Sequence, residues 1–217
     1  MTDLIFAEKM LCRFARERQV RYLSHLDYSR AIQRSLRRSG LNIAFSKGFN
    51  PRPKISFISA VSTGVVFQNE PLVLVFDAPV HPRRVQEKLM SVMPPHIYIR
   101  DVQTFREKRI PEIWKVEYIV KTQNFFEEKK IDEFNRSEQA LVVNKKEKTI
   151  NLKASVRHIR LHGKNRIDFT VENRKNQASP SAFDVLTCLT GAPVRTTAEA
   201  DIIRKDIHLF SSEKHKT

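Results

Sequence analysis

Hydrophobic patterning predicts an α+β fold for this 217-residue chain, built as two successive βαββαβ units, the second with an insertion. Three observations carry that expectation. Each half of the chain alternates short apolar, strand-like runs with two segments of helical period. A charged stretch ending in proline, residues 106–111, separates the halves. The length suits two domains of ordinary size, and 41% apolar with 29% charged residues fits a folded chain. The expected domains are 1–106 and 112–217.

In the first half, residues 9–16 alternate as a strand, with Met10, Cys12 and Phe14 to one side and Leu11, Arg13 and Ala15 to the other. Residues 16–19 read as a polar turn and 20–23 as a further extended stretch. Ser24 followed by Asp27 is a capping-box pattern, so a helix starts there, runs to about Ser39 and stops at Gly40. Leu26, Ser29, Ile32 and Leu36 are expected on its buried face, and Arg30, Arg34, Arg37 and Arg38 on the opposite one. Residues 54–60 and 72–76 read as buried strands around a Gly64 turn. His81-Pro82 opens a second helix, with Val85, Leu89 and Val92 at helical spacing. Pro94-Pro95 ends it, and residues 96–105 return as a strand.

In the second half, Trp114, Val116, Tyr118 and Val120 alternate with charged residues as a strand. A helix is expected over 124–134 with Asn124 as its cap, then a short strand at 140–143. An insertion falls around 145–153. Residues 155–161 and 167–171 pair as a hairpin across 162–165. Ser179-Pro180 opens the last helix, with Phe183, Leu186 and Leu189 as its apolar stripe, and 201–210 close the unit as a strand. Strand, helix, strand, strand, helix, strand is the element order of a ferredoxin-like unit, here read twice in tandem.

Charge is the strongest functional signal. Lys and Arg number 39 against 24 Asp and Glu, a net +15. Eleven cations fall between Arg13 and Lys54, opposed only by Glu17 and Asp27. Such a cluster favours a polyanion, because cations near phosphates release condensed counterions. No apolar run is long enough for a membrane span, and the first ten residues carry Asp3 and Glu8 without a signal-peptide core, so a cytoplasmic protein with no membrane role is expected. Cys12 and Cys188 lie too far apart in sequence for a metal motif and read as small buried hydrophobes. Five glycines write neither a dinucleotide fingerprint nor a phosphate-binding loop, so no cofactor is expected.

The charge gathers around residues 44–56. Gly48 opens backbone angles closed to other residues, while Pro51 and Pro53 stiffen the chain, so an ordered loop that is neither helix nor ladder-forming strand is predicted. Ser46, Lys47, Phe49, Asn50, Arg52 and Lys54 project from it: cations beside an aromatic face and an amide, the parts that hold a nucleic-acid backbone and stack or pair a base. A proline-rich connector kept soluble by its charges would look the same. His25 and Asp27 flank the helix start. His25 is either a general acid–base group or a packed, phosphate-contacting imidazole, and Asp27 either a catalytic carboxylate or a helix cap. In the second half Lys145, Lys146, Lys148, Lys153, Arg157, Arg160, Lys164 and Arg166 read as edge-protecting charges or as an auxiliary backbone contact.

The segments Arg-Phe-Ala-Arg at 13–16, Arg-Tyr-Leu-Ser-His-Leu-Asp at 21–27, Arg-Arg-Ser-Gly-Leu at 37–41 and Phe-Ser-Lys-Gly-Phe-Asn-Pro-Arg-Pro-Lys-Ile-Ser at 45–56 resemble the bacterial radical-SAM-associated (radical-SAM-linked) family, a domain of unknown function. That family's usual pattern has His where this chain has Arg52, which speaks against acid–base work there and leaves phosphate contact intact. The resemblance implies a cytosolic protein working with a radical-SAM enzyme. The chain lacks the three-cysteine motif that would hold the iron–sulfur cluster itself. The functional expectation is an RNA-binding accessory protein that presents a tRNA or rRNA to a radical-SAM partner. Arg13, Arg21, His25, Arg30, Arg34, Arg37, Arg38, Ser46, Lys47, Phe49, Asn50, Arg52 and Lys54 would form its surface. The alternatives are a metal-independent RNA-processing or RNA-modifying enzyme using His25, and a protein–protein adaptor for the radical-SAM enzyme.

Overall fold

A computed structural model describes residues 8–123, 126–144, 147–173, 179–191, 193–194 and 200–210. They form a mixed α+β protein with four helices. The described chain divides into two compact units, one taking residues up to Thr63 and Phe67–Glu112, the other Gly64–Val66 and Ile113–Phe210. No described helix is long and apolar enough to cross a membrane.

The first unit runs β1 (Glu8–Arg16), α1 (His25–Arg38), β2 (Ile55–Phe57), β3 (Val66–Phe76), α2 (Pro82–Met90) and β4 (Ile97–Thr104). Its sheet has the order β4-β1-β3-β2, every neighbouring pair antiparallel. Met10, Cys12 and Phe14 of β1 form the core with Leu72, Leu74 and Phe76 of β3, as the alternation predicts. Burial pushes the Cys12 thiol well above its ordinary value, as fits a small hydrophobe, and Asp101 adds to the rise.

Three expectations change here. Residues 18–20 form a 3-10 turn, and Leu23 N donates to Val20 O, so 20–23 are not extended. β2 is only three residues long. β3 starts six residues earlier than its apolar run, and Pro71 pairs with Arg13 beyond the reach of β2, which ends opposite Leu72. The second helix opens as expected, with His81 as cap, Pro82 in the first turn, and Val85 and Leu89 buried, but it ends at Met90, so Val92 lies beyond it, ahead of Pro94-Pro95.

The second unit runs β5 (Ile113–Thr122), α3 (Glu128–Arg136), β6 (Leu141–Val143), β7 (Thr149–Asn151), β8 (Val156–His162), β9 (Arg166–Glu172), α4 (Ala182–Thr190) and β10 (Ala200–Leu209). Here the order is β10-β5-β9-β8, again all antiparallel. β6 and β7 pair separately as a hairpin, at the place of the expected insertion. α3 starts later than the expected 124: its N-cap is Glu127, which makes no side-chain cap bond, while Asn124, the expected cap, lies outside the described residues, as do Lys145 and Lys146. The last helix starts later than Ser179-Pro180 suggests. Ser181 Oγ accepts from Asp184 N at 3.3 Å, and Ser181 N donates to Asp184 Oδ2 at 2.7 Å, a complete capping box that decides the start. Trp114 is exposed, whereas Val116 and Val120 are buried. Cys188 is half-buried, and burial raises its thiol pKa.

Candidate nucleic-acid interface

The N-terminus of α1 is fixed from two directions. Ser24 Oγ accepts from Asp27 N at 3.1 Å and donates to Asp27 Oδ2 at 2.7 Å. Beneath it, the guanidinium of Arg16 is 1% exposed and donates to Leu23 O at 3.0 Å and to Ser62 O at 3.3 Å. The same group lies 4.9 Å from the Phe67 ring centroid and 6.0 Å from that of Tyr28. Burial lowers the Arg16 pKa, while the neighbouring Tyr28 and Glu70 act in the opposite direction. Glu70 is itself buried and accepts a short hydrogen bond from Ser59 Oγ. A buried arginine thus ties the end of β1 to the residue before the helix cap.

α1 buries Tyr28, Ala31, Ile32, Ser35 and Leu36, a stripe at i, i+3, i+4, i+7 and i+8. Leu26, expected in that stripe, is 57% exposed on the other side. The reason is angular. Leu26 shares its direction with Arg30, Gln33 and Arg37, spaced i, i+4, i+7 and i+11, and not with Ile32.

The loop after α1 is a hairpin-like projection. Ile43 bridges Phe76 and Ala44 N donates to Val75 O at 2.8 Å, which fixes its base on β3. Phe45 and Pro53 then face each other as an antiparallel bridge. The flanking bonds are Lys54 N to Ala44 O at 2.7 Å and Ser46 N to Arg52 O at 2.8 Å, so Pro53 occupies a position where no N–H is needed. Arg52 N also donates to Ser46 Oγ at 3.0 Å. The stem is therefore ladder-like, contrary to expectation, and only residues 47–51 are true loop. Gly48 sits there at φ 127°, open to glycine and strained for other residues.

Between helix and loop lies an open groove of about 540 Å³ lined by Leu26, Arg30, Gln33, Arg37, Asn50, Pro51 and Arg52. Arg37 joins its two walls: Nη2 donates to Pro51 O at 2.9 Å, and the guanidinium lies 5.3 Å from the Phe45 ring centroid. Arg30 pairs with Asp27 at 3.5 Å, an exposed and weak contact. Phe49 is fully exposed at the loop tip, and Lys47 is exposed beside it. Three arginines, two side-chain amides and an unburied aromatic are the components of a site for phosphate and base.

Of the expected residues, Arg30, Arg37, Asn50 and Arg52 meet in the groove, with Lys47 and Phe49 on the adjoining tip. Ser46 serves the loop closure, and Lys54, although exposed, belongs to the stem. Arg34 is exposed on α1 outside the groove, and Arg38 Nη2 donates to Val92 O at 2.8 Å, facing the end of α2. Arg13 lies in β1, its Nη1 3.5 Å from Asn69 O. Arg21 is only 8% exposed, stacked 4.9 Å from the Tyr22 ring centroid and donating to its hydroxyl at 2.9 Å, so it is not a surface contact. The His25 ring packs edge-on against Phe57 with centroids 5.1 Å apart. Asp27 is not the helix cap, which is Ser24; its carboxylate accepts from the Ser24 hydroxyl and pairs with Arg30. Among the described residues no group of three or more His, Cys, Asp or Glu is placed to hold a metal. Leu26 and Gln33 were missed, although their spacing with Arg30 and Arg37 is readable once the helix phase is known.

Residues 9–180, which contain both the groove and most of the second unit, match the family described as an uncharacterized protein conserved in bacteria, DUF2344. The chain belongs to this family. No curated protein matches the DUF2344 chain.

Proposed function

We propose that this DUF2344 protein binds RNA through the groove between α1 and the 47–52 loop, and acts as an accessory that presents a tRNA or rRNA to a radical-SAM enzyme. The observation that carries the reading is the convergence of Arg30, Arg37 and Arg52 on one groove beside the unburied ring of Phe49. Arginine forks grip phosphate oxygens, an exposed aromatic stacks an unpaired base, and Asn50 offers both a donor and an acceptor to a base edge. A single-stranded loop or end suits such a site better than a duplex, whose bases are not free to stack. The radical-SAM partner rests on the sequence resemblance alone. The order β4-β1-β3-β2 in one unit and β10-β5-β9-β8 in the other supports reading the fold as tandem ferredoxin-like domains, the second carrying the β6–β7 hairpin. Ultraviolet cross-linking of the purified protein to total tRNA, followed by peptide mapping, tests the site. Cross-links concentrated on the peptide containing Phe49 support it; cross-links absent, or scattered evenly over basic peptides, defeat it.

A further inference from the structure

We propose that the bulged edge strand β8 of the second unit forms a separate phosphate-binding site, built from Lys153, Arg157, His158 and Arg160 against Asn135 of α3. β8 lies at the end of the order β10-β5-β9-β8 within its unit, a position whose open backbone groups need protection. Protection here takes an unusual form. The register against β9 slips between Arg157 and Arg160, and His158 in the bulge holds a left-handed conformation at φ 51°. A non-glycine residue in that region is strained, and such strain gathers at functional sites. Asn135 Nδ2 donates to Ile159 O at 2.9 Å, which closes the edge and sets α3 across a cleft of about 390 Å³.

No acidic side chain lines this cleft. Arg157 is a fixed wall: Nη1 donates to Lys153 O at 2.6 Å, and Nε lies 3.5 Å from Glu172 Oε2. Lys153 Nζ donates to Asn135 O at 3.2 Å and keeps two further donors for an anion. Arg160 is exposed and makes no ion pair among the described residues. Its neighbour across the sheet, Asp168, is already held by Arg166 at 3.2 Å and His162 at 3.1 Å. His158, also exposed, adds a ring nitrogen to a lining that carries Lys153, Arg157 and Arg160. That set matches a phosphate group, whose oxygens accept from a guanidinium fork and an ammonium together. The phosphate belongs either to an RNA backbone or to a free phosphorylated compound. This inference does not depend on the α1 groove.

The test is an NMR titration of the full chain, following the backbone amides of 153–160 and the His158 ring. The probes are inorganic pyrophosphate and, in an Arg30→Gln/Arg52→Gln background, an oligouridylate. Saturable shifts at these residues that sodium chloride of equal ionic strength does not reproduce, weakened about tenfold by Arg160→Gln, support the site. Response to pyrophosphate identifies a free phosphate compound as a sufficient ligand, and response to oligouridylate alone identifies a backbone phosphodiester. His158→Gly gives a second readout. It relieves the left-handed strain, so Tm rises while the affinity falls. Silence with both probes, shifts matched by chloride, or an Arg160→Gln titration identical to the wild type overturns the proposal.

Discussion

Changing Phe49 to alanine separates stacking from charge at the groove. The ring is fully exposed, so its removal deletes no buried surface. The loop is closed by the Ser46–Arg52 backbone bonds and by the Phe45–Pro53 bridge, none of which involves the Phe49 side chain. The folding cost is therefore below about 0.5 kcal/mol, and Tm stays within about 2 °C of the wild type. A base stacked on the ring loses about 2 kcal/mol, within the range found for single aromatic platforms, which weakens binding roughly thirtyfold. Because the side chain carries no charge, the dependence of log K on log salt keeps its slope. Phe49→Trp restores the affinity. The assay is fluorescence polarisation with a labelled single-stranded oligoribonucleotide across a salt series. Unchanged affinity in Phe49→Ala, with Tm unchanged, refutes the stacking role. A changed slope would show that the loop had moved instead.

Two further outcomes concern stability. Arg16→Met removes a buried cation, its attraction to the buried Glu70 and the donors to Leu23 O and Ser62 O, so unfolding in urea becomes easier by about 3 kcal/mol. A cost below about 1 kcal/mol would contradict the account. In the second unit, burial raises the Glu117 pKa, but hydrogen bonds from His208 at 2.8 Å and Lys115 at 3.2 Å, with their charges, outweigh it and hold the carboxyl below its ordinary value. A carboxylate lowered on folding contributes stability that is complete above its unfolded pKa and is lost as pH falls through the folded one. Thermal melts of Glu117→Gln and wild type therefore converge on acidification through that window, and diverge above it. Parallel curves would remove Glu117 from the acid response.

The parts of the fold legible in the sequence are those set by local chemistry. Ser24 with Asp27 marked the start of α1, Gly40 its end, and His81-Pro82 the start of α2, because a cap or a fixed φ acts within a few residues. Alternation placed β1, β5 and the β8–β9 hairpin. What stayed hidden depends on distant partners. The early part of β3 is broken up by the polar run Gln68-Asn69-Glu70 and by Pro71, and it is a strand because β1 pairs with it. The site divides in the same way. A count of cations singles out residues 13–54 but does not separate the arginines within it: Arg16 and Arg21 are buried against aromatic rings, and Arg38, though exposed, is tied to Val92. Grouping Leu26 with Ile32 and Leu36 on one helical face places it in the core, whereas its direction on the helix puts it in the groove.

The most direct test of the groove is RNA affinity across a salt series for wild type, Arg30→Gln/Arg52→Gln and Arg34→Gln/Arg38→Gln. The first pair removes groove charge, and the loop keeps its closure because Arg52 closes it through backbone N and O. Two lost phosphate contacts on a single strand reduce the magnitude of the salt slope by about 1.4, which at about 0.15 M salt is a loss of roughly fifteenfold. The second pair lies outside the groove and leaves the slope within about 0.5 of the wild type. Equal losses in the two variants would mean a diffuse basic face rather than a groove. No loss in either would mean that the arginines of α1 and its loop do not meet RNA at all.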